Sequence, residues 1–172
     1  MPPAEPLTAK PSHYATKVVR WVGPTYRAPR SERIGWGAVG FVCAVVLGVA
    51  VALTPSPRGM GTHRGLGLPP CGFEYSTGMP CPTCGMTTAY ALTVRGRIYS
   101  AIVTQPAGFV LCILTGIVAI YGAYVAIRGR AIWINWDRIS TRLVLALALL
   151  VMGGWGFKMA YCLIYGVPPM EG

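Results

Sequence analysis

Twenty consecutive residues without a charge, Ile34 to Leu53 (IGWGAVGFVCAVVLGVAVAL), limit what this chain can fold into more than any other feature. As a helix rising about 1.5 Å per residue, such a run spans the roughly 30 Å hydrocarbon core of a bilayer. Inside that core the backbone has no water to bond, so only a helix or a closed barrel can cross it. Pro106 to Ile127 and Leu143 to about Tyr165 are two further apolar stretches of spanning length. Pro106 stands at the first turn of its stretch, where a missing N–H does no harm. Gly153, Gly154 and Gly156 weaken the last stretch midway, and Lys158 sits near its far end, where a snorkelling side chain is expected. The expected fold is an all-α membrane protein with three transmembrane helices, over residues 34–53, 106–127 and 143–165.

Charge is sparse and one-sided. Asp, Glu, Lys and Arg make up 12% of the 172 residues, half the usual share of a soluble domain, and the balance is +10. A basic surplus suits nucleic acid only when it is gathered on a folded, water-facing surface. Here it lies between apolar runs, so the lipid bilayer is the expected partner and nucleic acid is not. Residues 1–33 hold six basic residues (Lys10, Lys17, Arg20, Arg27, Arg30, Arg33) and residues 128–142 hold four. The 52 residues of 54–105 also hold four, Arg58, Arg64, Arg95 and Arg97. By the positive-inside rule, 1–33 is a basic cytoplasmic tail and 128–142 a cytoplasmic loop, while 54–105 and the 166–172 tail lie outside. The 1–33 tail has no apolar period and is expected to lack regular structure. Ala50-Val51-Ala52 resembles a signal-peptidase site, but a lead of 33 residues is too long for an n-region, so the first span is expected to remain as an anchor.

Small residues recur every four positions down the first span (Gly40, Ala44, Gly48, Ala52), and Gly108, Cys112 and Gly116 do the same in the second. Such stripes let helices approach closely, either within the chain or against another subunit. The outer loop opens with a turn-rich stretch of Pro and Gly. Helical character returns near Cys84 and is interrupted at Arg95-Gly96-Arg97. Two Arg at the centre of Met86 to Val103 make it an interfacial or re-entrant helix and not a fourth span.

Chemistry concentrates in Cys71-Gly-Phe-Glu-Tyr-Ser-Thr-Gly-Met-Pro-Cys81-Pro-Thr-Cys84-Gly-Met-Thr-Thr-Ala. Cys43, Cys112 and Cys162 lie in apolar segments and read first as small packing residues. Three chemistries fit the loop cysteines. A Cys-Pro-X-Cys turn beside a helix start lowers a thiol pKa and suits disulfide exchange, although the βαβ context usual for that chemistry is missing. The same turn is a metal knuckle in which Pro82 restricts the backbone, Gly85 lets it bend, and Thr87 supports the following turn; Cys71, Cys81 and Cys84 supply three ligands, with His63 or Cys162 as a fourth and zinc as the ion. The third is a structural disulfide from Cys71 to Cys81 or Cys84, closing a loop of about ten residues and contributing about 2–3 kcal/mol. Lys158 has a functional reading too, as a cation above the cysteines. No carboxylate pair and no Ser/His/Asp grouping is present, so no catalytic residue is assigned.

These residues carry a resemblance. The chain is similar to the bacterial membrane family catalogued as domain of unknown function number 2752. Its signature of Cys, spacer, Gly-hydrophobe-Pro-Cys-Pro-X-Cys-Gly-hydrophobe-Thr-Arg-Ala, Arg-Gly and Asn-Pro is met here by Cys71, Gly78 to Ala89, Arg95-Gly96 and Gln105-Pro106. The resemblance covers about residues 71 to 127. Thr88 replaces the usual Arg and Gln105 the usual Asn, so a role of that Arg in holding an anion or partner is in doubt here. The resemblance implies a small helical protein of the bacterial inner membrane and supplies no activity. Together with the scarcity of catalytic groups, it leads to an expected non-catalytic accessory or assembly subunit of a larger membrane complex, whose cysteine motif organises the outer loop. A membrane thiol–disulfide oxidoreductase or thiol carrier is the alternative, and a zinc-binding membrane protein the next.

Overall fold

A computed structural model describes residues 22–69, 71–77, 80–134 and 136–165. Expectations for residues 1–21, for Gly78 and Met79, and for the 166–172 tail fall outside that range, as does that for the side chain of Cys162. The chain is mostly helical, with elements β1 (Val22–Arg27), α1 (Arg30–Ala52), a 3-10 turn (Thr62–Leu66), α2 (Gly72–Thr77), α3 (Met86–Thr93), α4 (Ile98–Thr104), α5 (Pro106–Arg128), β2 (Arg130–Ile134) and α6 (Trp136–Tyr165). Among the described residues three helices are long and apolar enough to cross a membrane: Arg30–Ala52, Pro106–Arg128 and Thr141–Ala160 within α6. Their apolar side chains stay bare, with Phe41 70%, Ile120 74% and Leu149 72% exposed. Hydrocarbon in contact with water at this density is unfavourable, and lipid removes the cost. The chain is a membrane protein.

Contacts group the described residues into two units, one within 22–42 and 118–145, the other within 43–117 and 146–165. In the first unit, part of the expected irregular tail is ordered. β1 pairs antiparallel with β2 in the register Thr25↔Ile132, Tyr26↔Ala131 and Arg27↔Arg130, and α1 begins at Arg30, four residues before the uncharged run. Period-2 alternation is too short in both strands to be read from sequence, and Tyr26 and Ala131 pair only because Gly129, at φ +64, turns the chain back after α5. Tyr26, Ala28, Val125 and Ala131 form a small buried cluster against Trp36 and Tyr121, whose rings meet edge-on at 5.0 Å. The helices touch where Gly40 faces Gly122: a Cβ on Gly122 would lie 2.5 Å from the Trp36 carbonyl oxygen. The close approach therefore uses one position of the first small-residue stripe and a glycine outside the second, while Gly48 and Gly116 face open space.

In the second unit, the stretch with two central arginines is broken into α3 and α4, eight and seven residues long, neither of spanning length. Gly96, at φ +74, ends α3, and the Arg97 N–H turns back to the Leu92 carbonyl. Arg95 then does what no charge in a span could do. Its guanidinium donates to the carbonyls of Ala50 (3.1 Å), Val51 (2.8 Å) and Leu53 (2.7 Å), and to that of Ala91 (2.7 Å). The last carbonyls of α1 have no intrahelical partner, and a cation at this end also meets the negative pole of the helix. Gly108 packs α5 onto α3, where a Cβ would lie 2.8 Å from the Ala89 methyl.

Candidate metal centre

The cysteine turn is held by its carbonyls. From Pro80 to Cys84 every backbone oxygen has a donor. Cys81 and Thr83 accept from the N–H groups of Cys84 and Met86, the bonds of a tight turn running into α3. The three oxygens between and beside them are taken by side chains: Trp155 Nε1 of α6 on Pro80 (2.9 Å), Gln105 Nε2, from the junction of α4 and α5, on Pro82 (3.0 Å), and Lys158 Nζ of α6 on Cys84 (2.9 Å). Buried carbonyls left without donors cost free energy, so this pattern fixes the turn in one conformation. Gly85 closes it at φ +89, where a Cβ would lie 2.6 Å from Lys158 Nζ and 2.8 Å from the Gly59 carbonyl oxygen. Only glycine fits there.

The turn brings together the sulfurs of Cys71, Cys81 and Cys84, all within 4.8 Å of one another. Cys81 and Cys84 are 2.9 Å apart, and no disulfide joins any described cysteine. That spacing is longer than a bond of about 2.05 Å and shorter than the edge of about 3.8 Å that a tetrahedral zinc–thiolate site would set. Burial raises the Cys81 thiol, but hydrogen bonds from Cys84, Thr83 and Cys71 and from the Thr83 N–H outweigh it and bring it down to about 7. Cys84 is pushed up by burial first and then by its bond to Cys81. The first proton therefore leaves the pair near neutral pH, and the charge stays between the two sulfurs.

A cavity of about 390 Å³ opens onto the three cysteines and is lined also by His63, Thr83, Thr87 and Thr88. His63 Nε2 is 3.2 Å from the Pro69 carbonyl. Thr88, the residue in the place of an arginine in the resemblance above, is fully buried and shares a 2.7 Å hydroxyl bond with Thr62, which in turn accepts from the Ser56 N–H. A hydroxyl pair here ties α3 to the 3-10 turn, and no anion-binding group stands at this position. Lys158 does not snorkel. Its side chain is 2% exposed and its ammonium lies over the Cys84 carbonyl. Cys43 and Cys112 lie on α1 and α5, away from the cluster of three.

Sequence reasoning singled out the cysteines, Pro82, Gly85, Thr87, His63 and Lys158, and missed Gln105 as an anchor, Trp155 and Arg95. A signal for Trp155 existed: it stands three residues before Lys158, on the same side of a helix, beside Gly154. Two polar-tipped side chains on one face of an apolar span mark a contact with protein and not with lipid. Gln105 carried a weaker signal, an uncharged polar side chain one residue before an apolar span, and the structure buries it fully.

Residues 71–119 match the family model described as protein of unknown function (DUF2752). The matched segment holds all three clustered cysteines, Arg95 and Gln105, and ends within α5. No curated protein and no solved structure matches the chain.

Proposed function

We propose that this chain is a non-catalytic accessory module of the bacterial inner membrane, in which Cys71, Cys81 and Cys84 hold one soft divalent ion, zinc by the chemistry of the donors, as a pin for its outer loop. The convergence of three sulfurs within 4.8 Å carries this reading. A disulfide uses two sulfurs and leaves the third without purpose, whereas three describe one face of a tetrahedral site. Cys81 and Cys84 open by about 0.9 Å to reach the zinc–thiolate edge. His63 borders the same cavity and is the candidate fourth ligand, reached by turning its ring away from Pro69. Three thiolates on a doubly charged ion leave a net charge of minus one, which the buried ammonium of Lys158 beside Cys84 offsets. The five acids, Glu5, Glu32, Glu74, Asp137 and Glu171, are scattered along the sequence, and none stands near enough to another in it to suggest a pair for general acid–base work. Apolar helix faces with open glycines at 48 and 116 give other membrane subunits a place to pack.

Purifying the full chain from membranes without chelator and measuring bound metal and free thiols tests this reading. Near one zinc per chain, lost in Cys81→Ser and Cys84→Ser, is the expected result. Metal-free protein whose thiols appear only after reduction overturns it. A second reading, thiol–disulfide exchange, is favoured by the 2.9 Å pair and the lowered Cys81 thiol. There the Cys81 thiolate attacks a partner disulfide, the partner's second sulfur leaves as thiolate, and Cys84 resolves the mixed disulfide, so Cys81 and Cys84 are oxidised as the partner is reduced. A Cys81–Cys84 potential clearly above about −300 mV supports exchange over a structural bridge.

A further inference from the structure

A second concentration of chemistry lies at the start of α1, apart from the cysteines. A cavity of about 480 Å³ is lined there by Tyr26, Arg27, Arg30, Glu32 and Arg33 with the backbone turn between them. We propose that this cavity binds the phosphodiester of an anionic phospholipid headgroup.

Among the described residues, positive charge gathered here exceeds negative. Arg27 stands directly opposite Arg130 in the β1–β2 ladder, a like-charge pairing that is unfavourable without an anion. Arg30 and Arg33 lie three residues apart on α1, on one side of the helix, where like charges also repel. Arg33 is committed: its guanidinium donates to the Ala126 carbonyl at 2.7 Å, near the end of α5. Arg27 and Arg30 are exposed, and their guanidinium groups make no hydrogen bond or ion pair among the described residues. The one carboxylate in the cavity, Glu32, accepts a 2.6 Å bond from the Tyr26 hydroxyl, and three guanidinium groups outnumber it. Two planar forks without a partner among the described residues, beside a third that is anchored, form a receptor for a tetrahedral oxyanion, which guanidinium groups bind through paired hydrogen bonds.

Position favours a lipid as the source of that oxyanion. The cavity is built on the first turn of a helix apolar enough to cross a membrane, so it lies where headgroups lie. One turn on, Ile34 is 72% exposed and offers an apolar surface to an acyl chain. Inorganic phosphate shares the headgroup chemistry but cannot use that surface, and it meets no concentrating membrane potential.

The full chain, purified in neutral detergent, is titrated with phosphatidylglycerol, with phosphatidylcholine, and with inorganic phosphate. Bound lipid is counted by native mass spectrometry and the unfolding midpoint is followed in parallel. Phosphatidylglycerol should bind and raise the midpoint, and the other two should do neither. Arg27→Gln/Arg30→Gln should weaken phosphatidylglycerol binding roughly 30-fold, from about one unit of surface attraction per arginine. Arg27→Lys/Arg30→Lys, which keeps the charge and controls for folding, should retain most of the binding. Arg58→Gln/Arg64→Gln, with the same loss of net charge elsewhere in the chain, should leave binding unchanged. Equal weakening by the Arg58/Arg64 pair shows a diffuse charge effect and overturns the proposal, as does a response to inorganic phosphate that matches the lipid. Undiminished binding in the Arg27/Arg30 glutamine variant also overturns it. None of these outcomes depends on the cysteine site, which this variant leaves intact.

Discussion

A single residue can hold one state of this site and exclude others. Cys81 is the clearest case, because its thiol loses a proton near 7 while that of Cys84 is pushed well above the ordinary range. The thiolate is the reacting species, so in metal-free, reduced protein alkylation of Cys81 should speed up with rising pH, reach half its maximum near pH 7, and lie about tenfold below that maximum at pH 6. Cys84→Ser removes the sulfur contact and should move that midpoint upward. A profile centred on the ordinary thiol range in the unsubstituted protein would show that the pair does not share its charge. Gly85 is restricted by its surroundings as well as by its backbone. Gly85→Ala places a methyl against Lys158 and the Gly59 carbonyl at a positive φ, so a loss of about 1–3 kcal/mol is expected in thermal or denaturant unfolding.

Between elements, two contacts decide how the helices meet, and the sequence displays them unequally. The small-residue stripe on α1 is legible and announces close packing, but it does not say which of its four members is used. Only the partner's shape decides that, and Gly122 breaks the four-residue spacing of the stripe on α5. Gly122→Ala should destabilise the protein by about 1–3 kcal/mol, because the methyl meets the Trp36 backbone. Gly48→Ala, with nothing within 4 Å, should be neutral or stabilise by up to about 1 kcal/mol through helix propensity. Unfolding midpoints in one detergent distinguish the two directly. Arg95 teaches the complementary lesson. Its charge is enough to deny Met86 to Val103 a crossing, and that expectation needs no structure. Its use as a clamp on the end of α1 needs knowledge of which helix ends near it, some 45 residues earlier in the chain. Arg95→Gln, which keeps the length but loses the fork, should cost about 2 kcal/mol. The β1–β2 pair is the least legible element, since six- and five-residue strands carry too little alternation to stand out from a basic tail.

For the molecule as a whole, composition and three long apolar runs, two of them uncharged, suffice for the class of fold. Which ends face which side rests on counting basic residues. That count puts an N-terminal tag inside and a C-terminal tag outside, and an impermeant label applied to intact cells should reach only the second. Labelling of the N-terminal tag would reverse the topology and place the cysteines in a reducing compartment, where a disulfide would not persist. The cysteine cluster was readable as three separate residues with a shared spacing. The sequence put them forward as one ligand set or a bridged pair, but the distances among their sulfurs were not legible, because Cys71 reaches the turn through a segment whose length alone allows many paths.

The anchoring of the Pro80–Cys84 carbonyls also sets an order of events during synthesis. Gln105 follows Pro82 by 23 residues, whereas Trp155 and Lys158 follow their acceptors by 75 and 74. At a translation speed of about 5–20 residues per second, the cysteine turn waits about 4–15 s for its last two donors. During that interval the thiols are present but not held in place, and an oxidant or a competing ion can reach them. A chain stopped after Gly154 should therefore carry cysteines that alkylate and oxidise faster than those of the full chain, even with all three in place. Protection of the cluster is a property that the last helix confers on arrival.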